Sequence, residues 1–198
     1  MDFFRRAAAT PRRLAIFPGT FNPPTRAHLA LARAALSFAD EVVFVLPRAF
    51  PHKDYAGASF EDRVNMLAAA VAGEPRFSIA SSAGGLFLDV ARECRRAYGP
   101  AVELWILCGR DAAERAARWD YGSPGAFRDQ LREYGLLVAP RHGVYHPPAE
   151  FADRIQPLPA VENCDEVSAT AVRDRIRRGE PWEDLVPEQI VELVRALY

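Results

Sequence analysis

The stretch "FPGTFNPPTRAH", residues 17–28, is where the chain declares its fold. It follows "RLAIF" (13–17), an apolar run of strand length, and leads into a segment where Leu29, Ala32 and Leu36 recur at three- and four-residue steps. Gly19 and the prolines at 18, 23 and 24 interrupt the strand, and Thr25 stands as the N-cap of a helix starting near Arg26. A strand turning straight into a helix is the first half of a βαβ unit.

The pattern repeats along the chain. "EVVFVLP" (41–47) reads as a second buried strand, and "SFEDRVNMLAAAVAG" (59–73) as a helix. In that helix Ser59 caps, Asp62 follows three residues later, Phe60, Val64, Leu67 and Val71 form the apolar stripe, and Gly73 closes it. "RFSIA" (76–80), "VELWILCG" (102–109) and "YGLLVAP" (134–140) are further strands, with helices over 86–99 and 111–119 between them. "IQPLP" (155–159) holds a sixth strand, which its prolines confine to an edge or a short length. Helices near 169–178 and 187–197 finish the chain, the first ended by Gly179 and the second begun by Pro187. Strand–helix alternation requires parallel pairing with right-handed crossovers, hence an α/β fold with a doubly wound parallel sheet. The 198 residues suit one domain, 1–198, with 1–12 as a short basic lead-in and 164–198 as a C-terminal helical part. Trp105, inside an apolar strand, reads as core.

Bulk properties narrow the function classes. A net charge of −1 argues against a protein that coats nucleic acid. Cys94, Cys108 and Cys164 make neither a zinc pattern nor a disulfide framework, which points to a reducing cytoplasm. No apolar run reaches the roughly 18 residues that span a bilayer, and "MDFFRRAAATPRR" lacks the apolar core of a signal peptide.

In such sheets ligands bind beyond the carboxyl ends of the strands, and polar clusters fall there. After the first strand, Gly19 lets the backbone approach a ligand, and the helix start offers N–H groups suited to phosphate. Thr25 can donate to a phosphate oxygen, and His28, one turn in, can donate to a phosphoryl group that favours its charged form. A merely capping Thr25 and a satisfied, partly buried His28 fit the same fragment. There is no GxxxxGK[ST]. After the second strand, "PRAFPHKD" (47–54) carries His52 and Lys53, cationic donors or simply solvated side chains. After the fourth, Gly109 permits a turn, and Asp111 either caps the next helix or accepts from a ribose hydroxyl. In "EVSATAVRDRIRRGEPWEDLVP" (166–187), Ser168, Thr170 and Arg173 make either a polyphosphate clamp or a capped amphipathic helix with solvated arginines.

Together these segments resemble a known family. Gly19-Thr20-Phe21-Asn22-Pro23 followed by Thr25-Arg26-Ala27-His28 resembles the G-x-F-x-P and [H/T]-x-G-H signature of the nucleotidylyltransferase superfamily, with Ala27 where glycine is usual. The His52–Lys53 loop is similar to the P-P-H-K loop of nicotinate and nicotinamide mononucleotide adenylyltransferases, with Phe50 for the first proline. Gly109-Arg110-Asp111, with Trp119 eight residues after the aspartate, is similar to that family's G-x-D motif and its tryptophan. Val167-Ser168-Ala169-Thr170-Ala171-Val172-Arg173 resembles its I-S-[ST]-[ST]-x-[IV]-R element, and the L-V-P at 185–187 and closing helix match as well. The chain is identified as a member of this family.

The resemblance implies a Rossmann-like nucleotidylyltransferase fold and the joining of ATP to nicotinate or nicotinamide mononucleotide, giving a pyridine dinucleotide and pyrophosphate in NAD biosynthesis. It implies ATP against Gly19, Thr20, Phe21, His28, Gly109, Asp111, Ser168, Thr170 and Arg173, with His28, Thr25, Lys53 and Arg173 carrying catalysis. The acceptor falls to Asn22, His52, Lys53, Gly84, Gly85 and a stacking Trp119. Mg²⁺ is expected on the ATP phosphates, with no protein metal cage. Partners are small-molecule nucleotides rather than nucleic acid or membrane, and a homo-oligomer is compatible with the sequence.

"SSAGGLFLDV" (81–90) departs from the aromatic-threonine stretch whose backbone N–H groups meet the nicotinate carboxylate in the family. Either Gly84 and Gly85 present those donors, or the pocket suits a different acceptor. The alternatives are therefore another acceptor or donor, such as phosphopantetheine or CTP, or a nucleotide-binding protein with weakened turnover. The segment 120–133 is a candidate to close over substrate, and "RHGVYHPP" (141–148), despite the spacing of His142 and His146, reads as a solvated loop.

Overall fold

A seven-stranded sheet runs through the molecule in the order β1-β4-β3-β2-β5-β6-β7. The computed structural model describes residues 1–48, 57–119, 122–123, 125–140, 145–161 and 165–198. The strands are β1 (Asp2–Arg5), β2 (Arg13–Pro18), β3 (Glu41–Pro47), β4 (Phe77–Ser82), β5 (Glu103–Gly109), β6 (Gly135–Ala139) and β7 (Ile155–Pro157). All neighbours pair in parallel except β1, which lies antiparallel to β4. The helices are α1 (Arg26–Ala35), α2 (Phe60–Ala70), α3 (Phe87–Tyr98), α4 (Arg110–Arg118), α5 (Ala126–Glu133), α6 (Ala169–Arg178) and α7 (Val191–Leu197). The doubly wound α/β expectation holds.

Side chains on the buried strands alternate between two core layers, as a pleat requires. Ala15, Phe17, Val42, Phe44 and Leu46 point to the layer closed by α1, α2, α6 and α7. Leu14, Ile16, Val43 and Val45 point to the layer closed by α3, α4 and α5. Both faces are covered, so these strands read as continuous apolar runs rather than as polar–apolar alternation. Trp105 is core, 3% exposed. Gly135 makes room for it, since a Cβ there would stand 2.4 Å from the indole.

Two segments differ from the sequence reading. The expected lead-in over 1–12 begins with a strand, β1. Its placement comes from two arginines that satisfy carbonyls left over at helix C-termini. Arg5 donates to the carbonyls of Val71 (2.9 Å) and Glu74 (2.8 Å) beyond α2. Arg6 donates to that of Ala97 (3.1 Å) in the last turn of α3 and lies over the rings of Phe3 and Tyr98. The segment 120–133 contains α5, anchored by the buried i, i+4 pair Phe127 and Leu131 after a left-handed Gly125. Those two side chains belong to the core.

Chain direction reverses about β2. The path β2–β3–β4 runs one way across the sheet and β5–β6–β7 the other, so β2 and β5 are the neighbours at which the strand order switches. The crevice above their carboxyl ends is where such folds bind ligands.

Asp40 ties the starts of β2 and β3 together. Its Oδ2 accepts from the backbone N–H groups of Arg12 (2.8 Å) and Arg13 (2.9 Å), which hold its carboxyl below the usual range. A depressed folded-state value means stability that is present above the unfolded pKa and lost as pH falls through the folded one. Asp40→Asn should therefore lower neutral-pH stability by about 1 kcal/mol, roughly 2–4 °C in Tm. The gap from the parent should close on acidification below about pH 4 in thermal melts.

Candidate active site

The loop after β2 is built around one buried ring. Phe21 has φ 48, the left-handed region, and is 1% exposed. Its ring meets those of Phe17 (5.5 Å), Phe44 (5.5 Å) and His28 (5.2 Å) edge-on. Such a conformation costs a bulky residue on the order of 1–3 kcal/mol, and burying the ring returns about 1.5–3 kcal/mol, so packing alone can hold it. Gly19 belongs to the same device, because a Cβ there would lie 2.8 Å from Phe21 Cζ. The space Gly19 leaves is filled by the protein's own Phe21 ring. From below, the buried Arg63 of α2 donates to the Thr20 carbonyl (3.0 Å). Asn22, buried and joined to Pro23 by a cis peptide bond, accepts through Oδ1 from Ala58 N–H (3.3 Å) and from the Tyr198 hydroxyl. Its backbone carbonyl accepts from Arg173 of α6. Asn22 thus joins the loop, the approach to α2 and the C-terminal helices.

Beyond the loop, Thr25 caps α1 from a fully buried position. His28 N–H donates to Thr25 Oγ1 (3.4 Å), and Thr25 N–H donates to His28 Nδ1 (2.9 Å), a reciprocal capping box. His28 is half-buried and lines a cleft over the ends of β5 and β6. Ala27 lines the same cleft, as do Gly109, Ala139, Ser168 and Ala169. The N-termini of α1 and α6 therefore converge on one space, each bringing the partial positive charge of a helix start. Ser168 caps α6, accepting from Ala171 N–H (3.0 Å), and Arg173 donates to Thr170 Oγ1 (3.2 Å) while reaching Asn22. Asn22 and Arg173, 151 residues apart, are thereby locked together beside the cleft.

The remaining expected positions lie around this centre. Gly109 is the N-cap of α4 and no side chain caps that helix, so Asp111, exposed in its first turn, has no capping role. Trp119, at the other end of α4, is 49% exposed. Gly84 and Gly85 follow β4, but the N–H groups of Ala83 and Gly84 are directed to Oε1 of Glu93 in α3, at 3.0 and 3.4 Å. The carboxylate of Glu93 already engages the Gly84 donor. His52, Lys53 and His142 lie outside the described residues. Burial pushes the thiol of Cys108, at the end of β5, up to about 12 and that of Cys94 higher still, so both stay protonated at neutral pH.

A family relation matches this arrangement. Residues 16–175 match the family model described as cytidylyltransferase-like. A relative from Gloeobacter violaceus named "Probable nicotinate-nucleotide adenylyltransferase" is 35% identical over 94% of this chain and 96% of its own length. A relative of the same name from Moorella thermoacetica is 32% identical over 94% and 90%. The chain belongs to the nicotinate-nucleotide adenylyltransferase family, among the cytidylyltransferase-like proteins. A solved Plasmodium falciparum nicotinic acid mononucleotide adenylyltransferase, complexed with NaAD, shares the fold at a TM-score of 0.68 and 14% identity, over 91% of this chain and 95% of that one.

Among the described residues, Gly19–His28, Gly109 and Ser168 follow strand ends or start helices around one cleft, and several residues that hold these segments are ones the sequence reading passed over. Arg63 reaches Thr20 from α2 and Tyr198 reaches Asn22 from the end of α7, both distant in sequence, while Glu93 reaches the loop after β4 from the helix that follows it. Arg63 and Glu93 lie beside the apolar stripes of their helices, a position that hints at burial but names no partner. Gly19→Ala should displace the Phe21 ring, lowering stability by about 1–3 kcal/mol. Thermal melts with near-ultraviolet circular dichroism of the aromatic cluster would register both changes.

Proposed function

We propose that this chain transfers the adenylyl group of ATP to nicotinate or nicotinamide mononucleotide, forming a pyridine dinucleotide and pyrophosphate, in cytoplasmic NAD biosynthesis. The observation that carries the reading is the convergence of the α1 and α6 N-termini, with His28 and Ser168, on a cleft at the switch in strand order. The names of the relatives that match over nearly the whole chain support the same reading.

The chemistry needs no nucleophile from the protein. An oxygen of the acceptor's 5′-phosphate attacks the α-phosphorus of ATP. A P–O bond forms there as the bond to the bridging oxygen breaks, and that oxygen's electron pair leaves with pyrophosphate. Catalysis is then positioning and charge stabilisation. His28 donates to the reacting phosphoryl group, and the α1 start receives its charge. Ser168, Thr170 and Arg173 at α6 steady the departing pyrophosphate, with Lys53 and His52 proposed to assist from the loop after β3. Asp111 is proposed to accept from a ribose hydroxyl and Trp119 to stack on the acceptor's ring.

The Ser168 hydroxyl and the helix starts at the cleft, with Thr170 and Arg173 farther along α6, make a donor set that fits phosphate oxygens. Among the described residues no group of three or more His, Cys, Asp and Glu is placed to hold a metal ion. These residues suit Mg²⁺ arriving on ATP, where it would neutralise phosphate charge while Ser168, Thr170 and Arg173 orient the polyphosphate.

Pyrophosphate release from ATP and Mg²⁺, measured in parallel with nicotinate mononucleotide, nicotinamide mononucleotide and phosphopantetheine, tests the proposal. Release with a pyridine nucleotide is expected, and release only with phosphopantetheine would overturn it, as would silence with all three. His28→Ala should lower kcat on the order of a hundredfold. Trp119→Ala, at an exposed position, should leave Tm unchanged and raise the acceptor KM more than the ATP KM in steady-state kinetics.

A further inference from the structure

The capping box at α1 uses an unusual partner. The residue at its third position is His28, so the group reaching back to the Thr25 backbone N–H is an imidazole nitrogen. A backbone N–H can only donate. At 2.9 Å from His28 Nδ1 it therefore faces a lone pair, and the ring proton must sit on Nε2. The Thr25 hydroxyl stands 2.8 Å from the same nitrogen, and against a bare Nδ1 it can only donate. Two donors converge on one acceptor. Protonating Nδ1 would set an N–H against the backbone N–H and break the box that starts the helix.

We propose that Thr25 is a positioning residue that holds His28 as the neutral tautomer protonated at Nε2, so that the phosphoryl group is met by an imidazole donor and not by an imidazolium. This rests on the reading above that His28 meets the reacting phosphate. It reassigns Thr25, whose buried side chain turns to His28. It also reverses the expectation of a charged His28, at least before phosphate binds.

The surroundings are consistent with that assignment. From β2 and its loop the ring is met by Phe17 (5.9 Å) and Phe21 (5.2 Å), both uncharged. Across the cleft stand Ser168 and the titratable Asp165. Arg26 precedes His28 on α1, and Arg173 on α6 is turned to Asn22 and Thr170. Asp165 by itself would favour a charged ring, and the two donors on Nδ1 oppose it.

The test is nitrogen-15 NMR of the imidazole rings in the full-length protein without nucleotide, His28 being identified among the four histidines by the signal lost in His28→Gln. The expected spectrum has Nδ1 bare and Nε2 protonated, with protonation only below the ordinary value of about 6.5. Thr25→Val removes the hydroxyl and should move that titration upward. It should also lower kcat on the order of tenfold with a smaller change in ATP KM, while Thr25→Ser restores both. A His28 carrying its proton on Nδ1, or titrating at or above the ordinary value, would overturn the proposal. So would a Thr25→Val protein with unaltered titration and kcat. If Thr25→Val does not fold, the parent spectrum still decides. The spectrum is read without turnover, so an error in the assigned reaction would leave it unchanged and show only in the assay.

Discussion

A non-glycine residue held in the left-handed region inside a protein needs its surroundings to hold it there, and Phe21 is that residue here. Its ring fills the space where a side chain at Gly19 would lie and packs on Phe17, Phe44 and His28. The turn this enforces sends the chain from the end of β2 back into α1 within eight residues, Pro18 to Arg26. Hydrogen bonds from Arg63, Ala58, Tyr198 and Arg173 then grip the loop at Thr20 and Asn22. None of these partners is local, so the geometry at the start of α1 depends on the whole of one core layer being formed.

That dependence fixes two helix starts beside a cleft with few charged groups. The two helix starts and Arg173 supply positive potential from fixed positions. Preorganised dipoles need no rearrangement as charge moves onto the leaving group, which is the main economy available to a transfer without a covalent intermediate. The contact between Arg173 and Asn22 matters because it makes the α1 and α6 sides of the cleft one unit.

At the end of β4 the chain has its own character. The loop after β4 directs two of its N–H groups to Glu93 of α3. β1 flanks that strand from the outer side, clamped by Arg5 and Arg6 against the ends of α2 and α3. The loop after β4 is thereby tied to elements outside the quoted motifs.

Reading the residues in order determined the doubly wound sheet, because buried parallel strands are written as unbroken apolar runs and the helices between them carry caps and stripes. It determined where the polar clusters fall, including Thr25, His28, Ser168 and Arg173, because helix starts after strands have recognisable chemistry. It did not reveal β1 or α5, whose placement comes from arginines on distant carbonyls and from two anchoring side chains. Nor did it show that Gly19 makes way for Phe21, that Asp111 leaves α4 uncapped, that Thr25 turns to His28 or that Glu93 occupies the Gly84 amide. Each of these is a question of which partner a donor or a methyl-sized space meets, and partners are chosen by contacts across the fold. Periodicity and capping are local and legible; the direction of a side chain at a site is decided only when the layers close around it.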